Sequence, residues 1–288
     1  MVFRRHLFRK VVILGTGLIG GSVGLALKKN ELAAKIVGTS RHEASLKTAL
    51  TMKAIDEAEM DLHKAIAGAD LVILAAPAKV ILENIKDIAR HLRRDCIVTD
   101  VGSTKGLIVA AAEKHFPPHV LFVGSHPMAG SEKSGVANAS ADLLKGASVI
   151  MTPTAKTNKL AKDKVKHLWT KLGADVKVMD PDKHDEVMAF VSHLPHLTAF
   201  ALMRAIPDEV LGFGSTGLKD TTRIAASSSK MWGDICFSNY RNVLKSIDEM
   251  AKSLAELRRA IVDKDEATLT QYLNQAKVKR ESLDKKQG

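Results

Sequence analysis

Residues 11–21 read Val-Val-Ile-Leu-Gly-Thr-Gly-Leu-Ile-Gly-Gly, an apolar run that enters a G-x-G-x-x-G turn and continues into the apolar segment Val23 to Leu27. Few local patterns constrain a fold so tightly, because each glycine answers a separate steric demand. Gly15 lets the strand turn sharply, Gly17 lets backbone N–H groups approach a pyrophosphate with no Cβ in the way, and Gly20 lets the helix pack close on the strand. An anion then rests on the positive end of the helix. Gly15, Thr16, Gly17, Leu18, Ile19 and Gly20 are therefore expected to hold a dinucleotide. The alternative is an ordinary glycine-rich strand, turn and helix; the quality of the flanks favours the cofactor reading.

Short β-rich runs alternate with helical stretches through the first 180 residues: Val11–Leu14, Lys35–Thr39, Asp70–Ala75, Cys96–Asp100, Val120–Val123, Ser148–Met151 and Val176–Met179. Such alternation predicts an α/β fold, a Rossmann-type doubly wound and mostly parallel sheet with helices on both faces. Several runs end in glycine, proline or polar residues, at Ala76-Pro77, at Asp100-Val101-Gly102-Ser103 and at Gly124-Ser125-His126. Ligands of open sheets bind beyond the carboxyl ends of the strands, so these endings should converge on one crevice, with Ala76 and Pro77 beside the cofactor. After Asp180-Pro181-Asp182 the pattern turns helical, which divides the chain into a dinucleotide-binding domain, 1–180, and an all-α domain, 181–288. Val243, Leu244, Ile247, Met250, Ala251, Leu254, Leu257 and Ile261 form a helical stripe that needs a partner surface, and a homodimer through the helical domain would supply it.

Of the eleven excess positive charges, ten fall within the first 180 residues, which suits a phosphorylated dinucleotide and a carboxylate substrate. Nucleic acid is not expected, because aromatic residues are only 4% and no basic block interleaves with them. Cys96 and Cys236, with neither C-x-x-C nor metal spacing, fit a reducing compartment, so a cytoplasmic protein is expected. Arg4, Arg5, Arg9 and Lys10 ahead of Val11 to Leu27 imitate a signal peptide, but the glycines make a poor apolar helix and no cleavage pattern follows. Elsewhere charges interrupt every apolar stretch before about 18 residues, so no membrane span is expected.

The second strand carries no acid at its end, where an NAD-binding unit usually places one for the ribose hydroxyl; it ends in Thr39-Ser40-Arg41-His42. Ser40 and Arg41 offer a hydroxyl and a guanidinium fork to a 2′-phosphate, so NAD(P) with a preference for NADP is expected. The alternative for Arg41 is a solvated loop arginine.

Four further segments look chemical: Asp100-Val-Gly-Ser103-Thr-Lys105-Gly, Gly124-Ser-His126-Pro-Met-Ala-Gly-Ser131-Glu132-Lys133, Ser192-His193-Leu-Pro-His196, and Gly217-Leu-Lys-Asp220-Thr-Thr-Arg223 followed by Met231-Trp232. Together with the glycine turn they closely resemble the prephenate/arogenate dehydrogenases of tyrosine biosynthesis over essentially the whole chain. The resemblance implies oxidative decarboxylation of a cyclohexadienol, with hydride passing to the nicotinamide and the ring carboxylate leaving as carbon dioxide. By position, His126 would take the proton of the substrate hydroxyl, and Ser103 would orient that histidine or the hydroxyl. Arg223 would bind a substrate carboxylate, with Asp220 in the same segment. His193 and His196 would line the substrate site, Trp232 would stand at the edge of that pocket or at the dimer interface, and Ser131 and Glu132 would tune recognition of the side chain.

Each residue also has a plainer reading: a satisfied histidine after a strand for His126, a helix N-cap for Ser103, a surface salt bridge for Arg223 with Asp220 as one partner, a hydrogen-bonded helix start for His193 and His196, and core for Trp232. A metal on the two histidines lacks a carboxylate or cysteine at a recognisable spacing, so none is expected. The resemblance does not decide between prephenate and arogenate. Neither a C-terminal ligand-sensing module nor a fused mutase is expected, so feedback by tyrosine would act at the active site itself. The rival readings are another β-hydroxyacid-type dehydrogenase, which usually relies on a lysine base, and a dinucleotide-binding redox sensor without turnover.

Overall fold

The computed structural model describes residues 6–130 and 135–285. Among the described residues, eight strands form one sheet: β1 (Phe8–Leu14), β2 (Ala33–Thr39), β3 (Glu57–Ala58), β4 (Leu71–Leu74), β5 (Ile97–Asp100), β6 (Leu121–Pro127), β7 (Ser148–Thr152) and β8 (Asp175–Val178), in the order β3-β2-β1-β4-β5-β6-β7-β8. Every pairing is parallel except that of β6 with β7. Between the strands run α1 (Leu18–Lys29), α2 (Glu43–Thr51), α3 (Leu62–Ile66), α4 (Ala78–Ile88), α5 (Gly106–His115) and α6 (Lys159–Lys171). The doubly wound sheet expected from the alternation is present.

Alternate side chains of a strand point to opposite faces, so β1 contributes to two separate cores. Val11 and Ile13 pack with Val23 and Leu27 of α1, Leu46 of α2 and Leu168 of α6, whereas Val12 and Leu14 pack with Ile66 of α3, Ile81 and Ile85 of α4 and Ile108 of α5. A strand buried on both faces reads as a continuous apolar run, which is why the sequence signal was strong.

Beyond shifts of up to three residues at strand ends, as where β1 begins at Phe8 rather than Val11, two strands depart from the sequence reading. The two-residue β3 pairs with Val37 and Gly38 and is too short to carry a periodic signal. The run placed at 120–123 continues through His126 to Pro127, because antiparallel β7 offers Thr152, Met151, Ile150 and Val149 as partners to residues 124–127. His126 therefore stands on a strand, not in the loop beyond it.

From Pro181 the chain is helical: α7 (Pro181–Met188), α8 (Leu194–Ala205), α9 (Thr216–Thr222), α10 (Ser229–Ser238), α11 (Tyr240–Val262) and α12 (Glu266–Lys285). Asp180 caps α7 by accepting from the backbone N–H groups of Asp182 and Lys183, and Pro181 occupies the first turn, where its missing N–H costs nothing. A π-helical turn, Ala189–His193, joins α7 to α8. The resulting run Pro181–Ala205 is long and apolar enough to cross a membrane by length and composition. This corrects the expectation that no such stretch exists: between Met188 and Arg204 there is no Asp, Glu, Lys or Arg, and the polar content is carried by histidine, serine and threonine.

The helices through α10 belong to the same compact unit as the sheet, which extends to Tyr240. The second unit, from Arg241, is a helical hairpin of α11 and α12 in which Ser253 and Tyr272 hydrogen-bond through their hydroxyls at 2.6 Å. Leu244, Ile247, Leu254 and Ile261 of the expected stripe are exposed, as are Leu273, Val278 and Leu283 of α12.

Candidate active site

The glycine turn has the conformation its sequence requires. Gly15 sits at φ +104°, a left-handed value, and a Cβ there would overlap the carbonyl oxygen of Ala75. A Cβ on Gly20 would overlap the carbonyl oxygen of Gly15, so this glycine seats α1 against the strand. Gly17, the N-cap of α1, faces open space instead: nothing lies within 4 Å of where its Cβ would be. The buried Thr16 hydroxyl finds no hydrogen-bond partner among the described residues. An open cradle at a helix N-terminus, with an orphaned hydroxyl beside it, fits a pyrophosphate. Ala76 and Pro77 follow β4 beside Gly15, and Pro77 occupies the N-cap position of α4 without a side-chain bond. Gly15 donates to the carbonyl of Thr39, which ties the turn to the end of β2. Beyond it Ser40 is half-buried and accepts from the backbone N–H of His42 at 3.1 Å, and Arg41 is exposed.

His126 is 7% exposed and its Nδ1 lies 2.8 Å from Nε2 of His184 on α7. His184 is fully buried, and its Nδ1 lies 2.8 Å from Oδ1 of Asp185. Asp185 also accepts the backbone N–H groups of Lys105 at 2.7 Å and Gly106 at 2.9 Å, which anchors α7 to the start of α5. A carboxylate only accepts, so His184 must donate from Nδ1 and present a lone pair on Nε2. His126 must then donate from Nδ1, which leaves the lone pair of Nε2 as its basic site. The tautomer of His126 is thus set by a chain of two hydrogen bonds ending on a carboxylate.

Beneath this chain lies a buried polar layer. Lys105 is wholly buried, pairs with Asp100 and donates to the carbonyl of Ser125 at 2.8 Å. Asp100 also accepts the backbone N–H groups of Gly102 and Ser125. The Ser125 hydroxyl accepts from the indole of Trp169 at 3.1 Å and meets that of Thr99 at 2.9 Å. Burial first, then the nearby His184, Lys105 and His193, hold the imidazole of His126 well below its ordinary range. Burial also lowers His184, but the adjacent Asp185 works in the opposite direction. Both rings are neutral at pH 7.

The second histidine group lies on the helical run. The π turn places His193 inward, 1% exposed, with Nδ1 3.4 Å from the amide nitrogen of Asn239 and with Nε2 unpartnered among the described residues. Burial pushes it down to about 4. Asn239 also donates to the backbone carbonyl of Asp185 at 2.7 Å, linking this group to the first. His196 stacks on Trp232 with ring centroids 3.9 Å apart, and its Nδ1 meets the Ser192 carbonyl at 2.9 Å. Trp232 is buried, yet its indole N–H also has no partner among the described residues. Buried polar atoms without partners are uncommon and mark where a ligand's polar groups would be received.

Of the residues singled out from sequence, His193, His196 and Trp232 form one contact group, and Asn239 joins it to the group of His126. Arg223 is exposed at the end of α9, near enough to His196 for its charge to disfavour protonation of that ring. Asp220 is exposed on α9. Ser103 is half-buried between β5 and α5, and the N-cap position of α5 belongs to Lys105 instead. Ser131 and Glu132 lie outside the described residues. Among the described residues no cluster of three or more His, Cys, Asp or Glu side chains could hold a metal. Sequence reasoning missed His184, Asp185 and Asn239, and it placed Asp100 and Lys105 in a chemical segment without giving them a role. The Asp180-Pro181 helix start was a usable signal for the first two, since it places His184 and Asp185 on the second turn of α7.

Two family models match: the nucleotide-binding domain of prephenate dehydrogenase over residues 23–178 and its dimerization domain over residues 180–275. The chain is 35% identical to a prephenate dehydrogenase of Bacillus subtilis, over 96% of this chain and 76% of that one. The prephenate dehydrogenase of Aquifex aeolicus, solved with hydroxyphenyl propionate and NAD+, superposes with a TM-score of 0.89 at 38% identity, covering 96% of this chain and 98% of that one. The arogenate dehydrogenase of Synechocystis superposes with a TM-score of 0.81 at 27% identity, covering 95% and 99%. With a nicotinamide-dinucleotide cradle, a tautomer-fixed histidine and these likenesses over nearly its whole length, the chain belongs to the prephenate dehydrogenase family.

Proposed function

We propose that this protein is an NAD(P)-dependent dehydrogenase that decarboxylates prephenate, arogenate or both, giving 4-hydroxyphenylpyruvate or tyrosine. The observation that carries the reading is the fixed tautomer of His126, whose basic Nε2 suits a proton acceptor for the substrate hydroxyl. When bound, the nicotinamide supplies the hydride acceptor. Aromatisation makes the reaction strongly downhill, so the task of the protein is orientation and removal of one proton.

His126 takes the hydroxyl proton, and Ser103 orients the hydroxyl or the ring. Arg223 binds a substrate carboxylate, for which its planar fork is suited, with Asp220 on the preceding turn. His193, His196 and Trp232 line the substrate site; the unpartnered Nε2 and indole N–H support this. Ser131 and Glu132 tune recognition of the side chain. Gly15 through Gly20, with Ala76 and Pro77, hold the dinucleotide.

Ser40 and exposed Arg41, with no acid at the end of β2, support a preference for NADP. The exposed apolar residues of α11 and the dimerization-domain match support a homodimer. Two free cysteines suit the cytoplasm. Any feedback by tyrosine, which resembles the substrate, would act at the active site and be competitive.

The test is growth of absorbance at 340 nm with each substrate and each cofactor. Turnover of either substrate supports the reading, and NADP should be used with the lower KM. An enzyme inert with all four combinations overturns it.

A further inference from the structure

Resting on the reading of His126 as the base, we propose that His184 and Asp185 are positioning residues that hold His126 in its basic tautomer, and that the positive charge created by proton abstraction comes to rest on His184, which receives the Nδ1 proton of His126. Neither residue need touch substrate. Both act through Nδ1 of His126.

The protons balance along the chain. The O–H bond of the substrate breaks, its electron pair stays on the substrate oxygen, and its proton forms a bond to Nε2 of His126. His126 releases its Nδ1 proton to Nε2 of His184 across 2.8 Å. His184 becomes an imidazolium whose Nδ1–H already points at the Asp185 carboxylate at 2.8 Å. His126 ends neutral.

The surroundings favour the charge on the second ring. His126 is faced by the ammonium of Lys105, by His184 and by His193, and the carboxylate of Asp100 is already engaged by Lys105. His184 has Asp185 beside it, with Asp100 also acting in its favour against Lys105. A cation is more stable next to a carboxylate than next to an ammonium.

The same chain of bonds makes the base sensitive to pH. If His184 takes a proton from solvent, its Nε2 becomes a donor and Nδ1 of His126 must accept. The proton of His126 then sits on Nε2, and the base is lost. The acid limb of kcat therefore belongs to the pair rather than to His126 alone.

Two measurements test this. The first needs no turnover: 15N spectra of the histidine-labelled free enzyme, assigned with the H126N and H184Q variants, should show His126 as the Nδ1–H tautomer. An Nε2–H tautomer on neutral His126 overturns the proposal. The second is the kcat–pH profile of H184Q, whose amide oxygen can accept from His126 but whose side chain cannot carry the proton. The expected result is a fall in kcat of about 100-fold, with KM changed less than about twofold and the acid limb moved to lower pH, since only the less basic ring remains. A purely structural role would leave that limb in place, so unchanged kcat and an unmoved limb overturn the proposal while the assignment of His126 stands. A wild-type enzyme inert to both substrates removes the functional reading, and this proposal with it.

Discussion

Replacing Lys105 by methionine removes one charge from a pair with no solvent access and leaves the other. Lys105 and Asp100 are both 0% exposed, and the ammonium is also the donor to the Ser125 carbonyl. Met is close to Lys in length and apolar, so packing is largely kept and the loss is electrostatic. Removing one partner of a buried pair typically costs about 3–5 kcal/mol, because an uncompensated charge stays in the interior. The backbone N–H groups of Gly102 and Ser125 still serve Asp100, which argues for the middle of that range, about 4 kcal/mol. With a urea m-value of about 2.5 kcal/mol/M, the unfolding midpoint should fall by about 1.6 M. Trp169 is a local reporter, since its indole bonds to Ser125 in the same buried layer. Adding D100N should recover at least half of the shift, because Asn keeps one acceptor and carries no charge. A midpoint lowered by less than about 0.3 M would falsify the claim that this pair is buried and mutually dependent.

Three other outcomes are expected. H126N should lower kcat by about 10²- to 10⁴-fold, the span usual for a general base, measured at saturating substrate; near-normal turnover would remove His126 from the chemistry. R41A should raise the KM for NADP by about tenfold, the size of one charge-assisted contact, and leave that for NAD nearly unchanged; equal effects on both would dissociate Arg41 from the 2′-phosphate. His126, His184, His193 and His196 all bind protons less readily folded than unfolded, so the unfolded chain takes up more protons as pH falls through the ordinary histidine range. Stability should be full above about pH 6.5 and decline below it, continuing toward about pH 4 as His193 protonates, as followed by thermal unfolding. A flat profile from pH 7 to 4 would contradict the burial of these rings.

The parts readable from the sequence share one property, that a local rule sufficed. The Gly15 turn is demanded by steric limits at single residues, and the strands that pack helices on both faces are continuous apolar runs. His126, His193, His196 and Trp232 were legible because they lie in recognisable segments. Where pairing came from afar the reading faltered: β6 gained four residues from a strand more than twenty positions later, and β3 was too short to have a period.

By itself the sequence determined the doubly wound sheet, the dinucleotide turn and the helical second part, since each follows from backbone sterics or periodic burial of apolar side chains, whereas the histidine at the centre of the proposed chemistry was singled out by the resemblance of its segment to a family. Only the tertiary structure decided which atom of that histidine is basic. Its partner is 58 positions away on α7, and the carboxylate that orders both rings is held by the start of α5, 79 and 80 positions earlier. Proton placement depends on which lone pair faces which N–H, and those directions exist only once the strand and the helices are packed together.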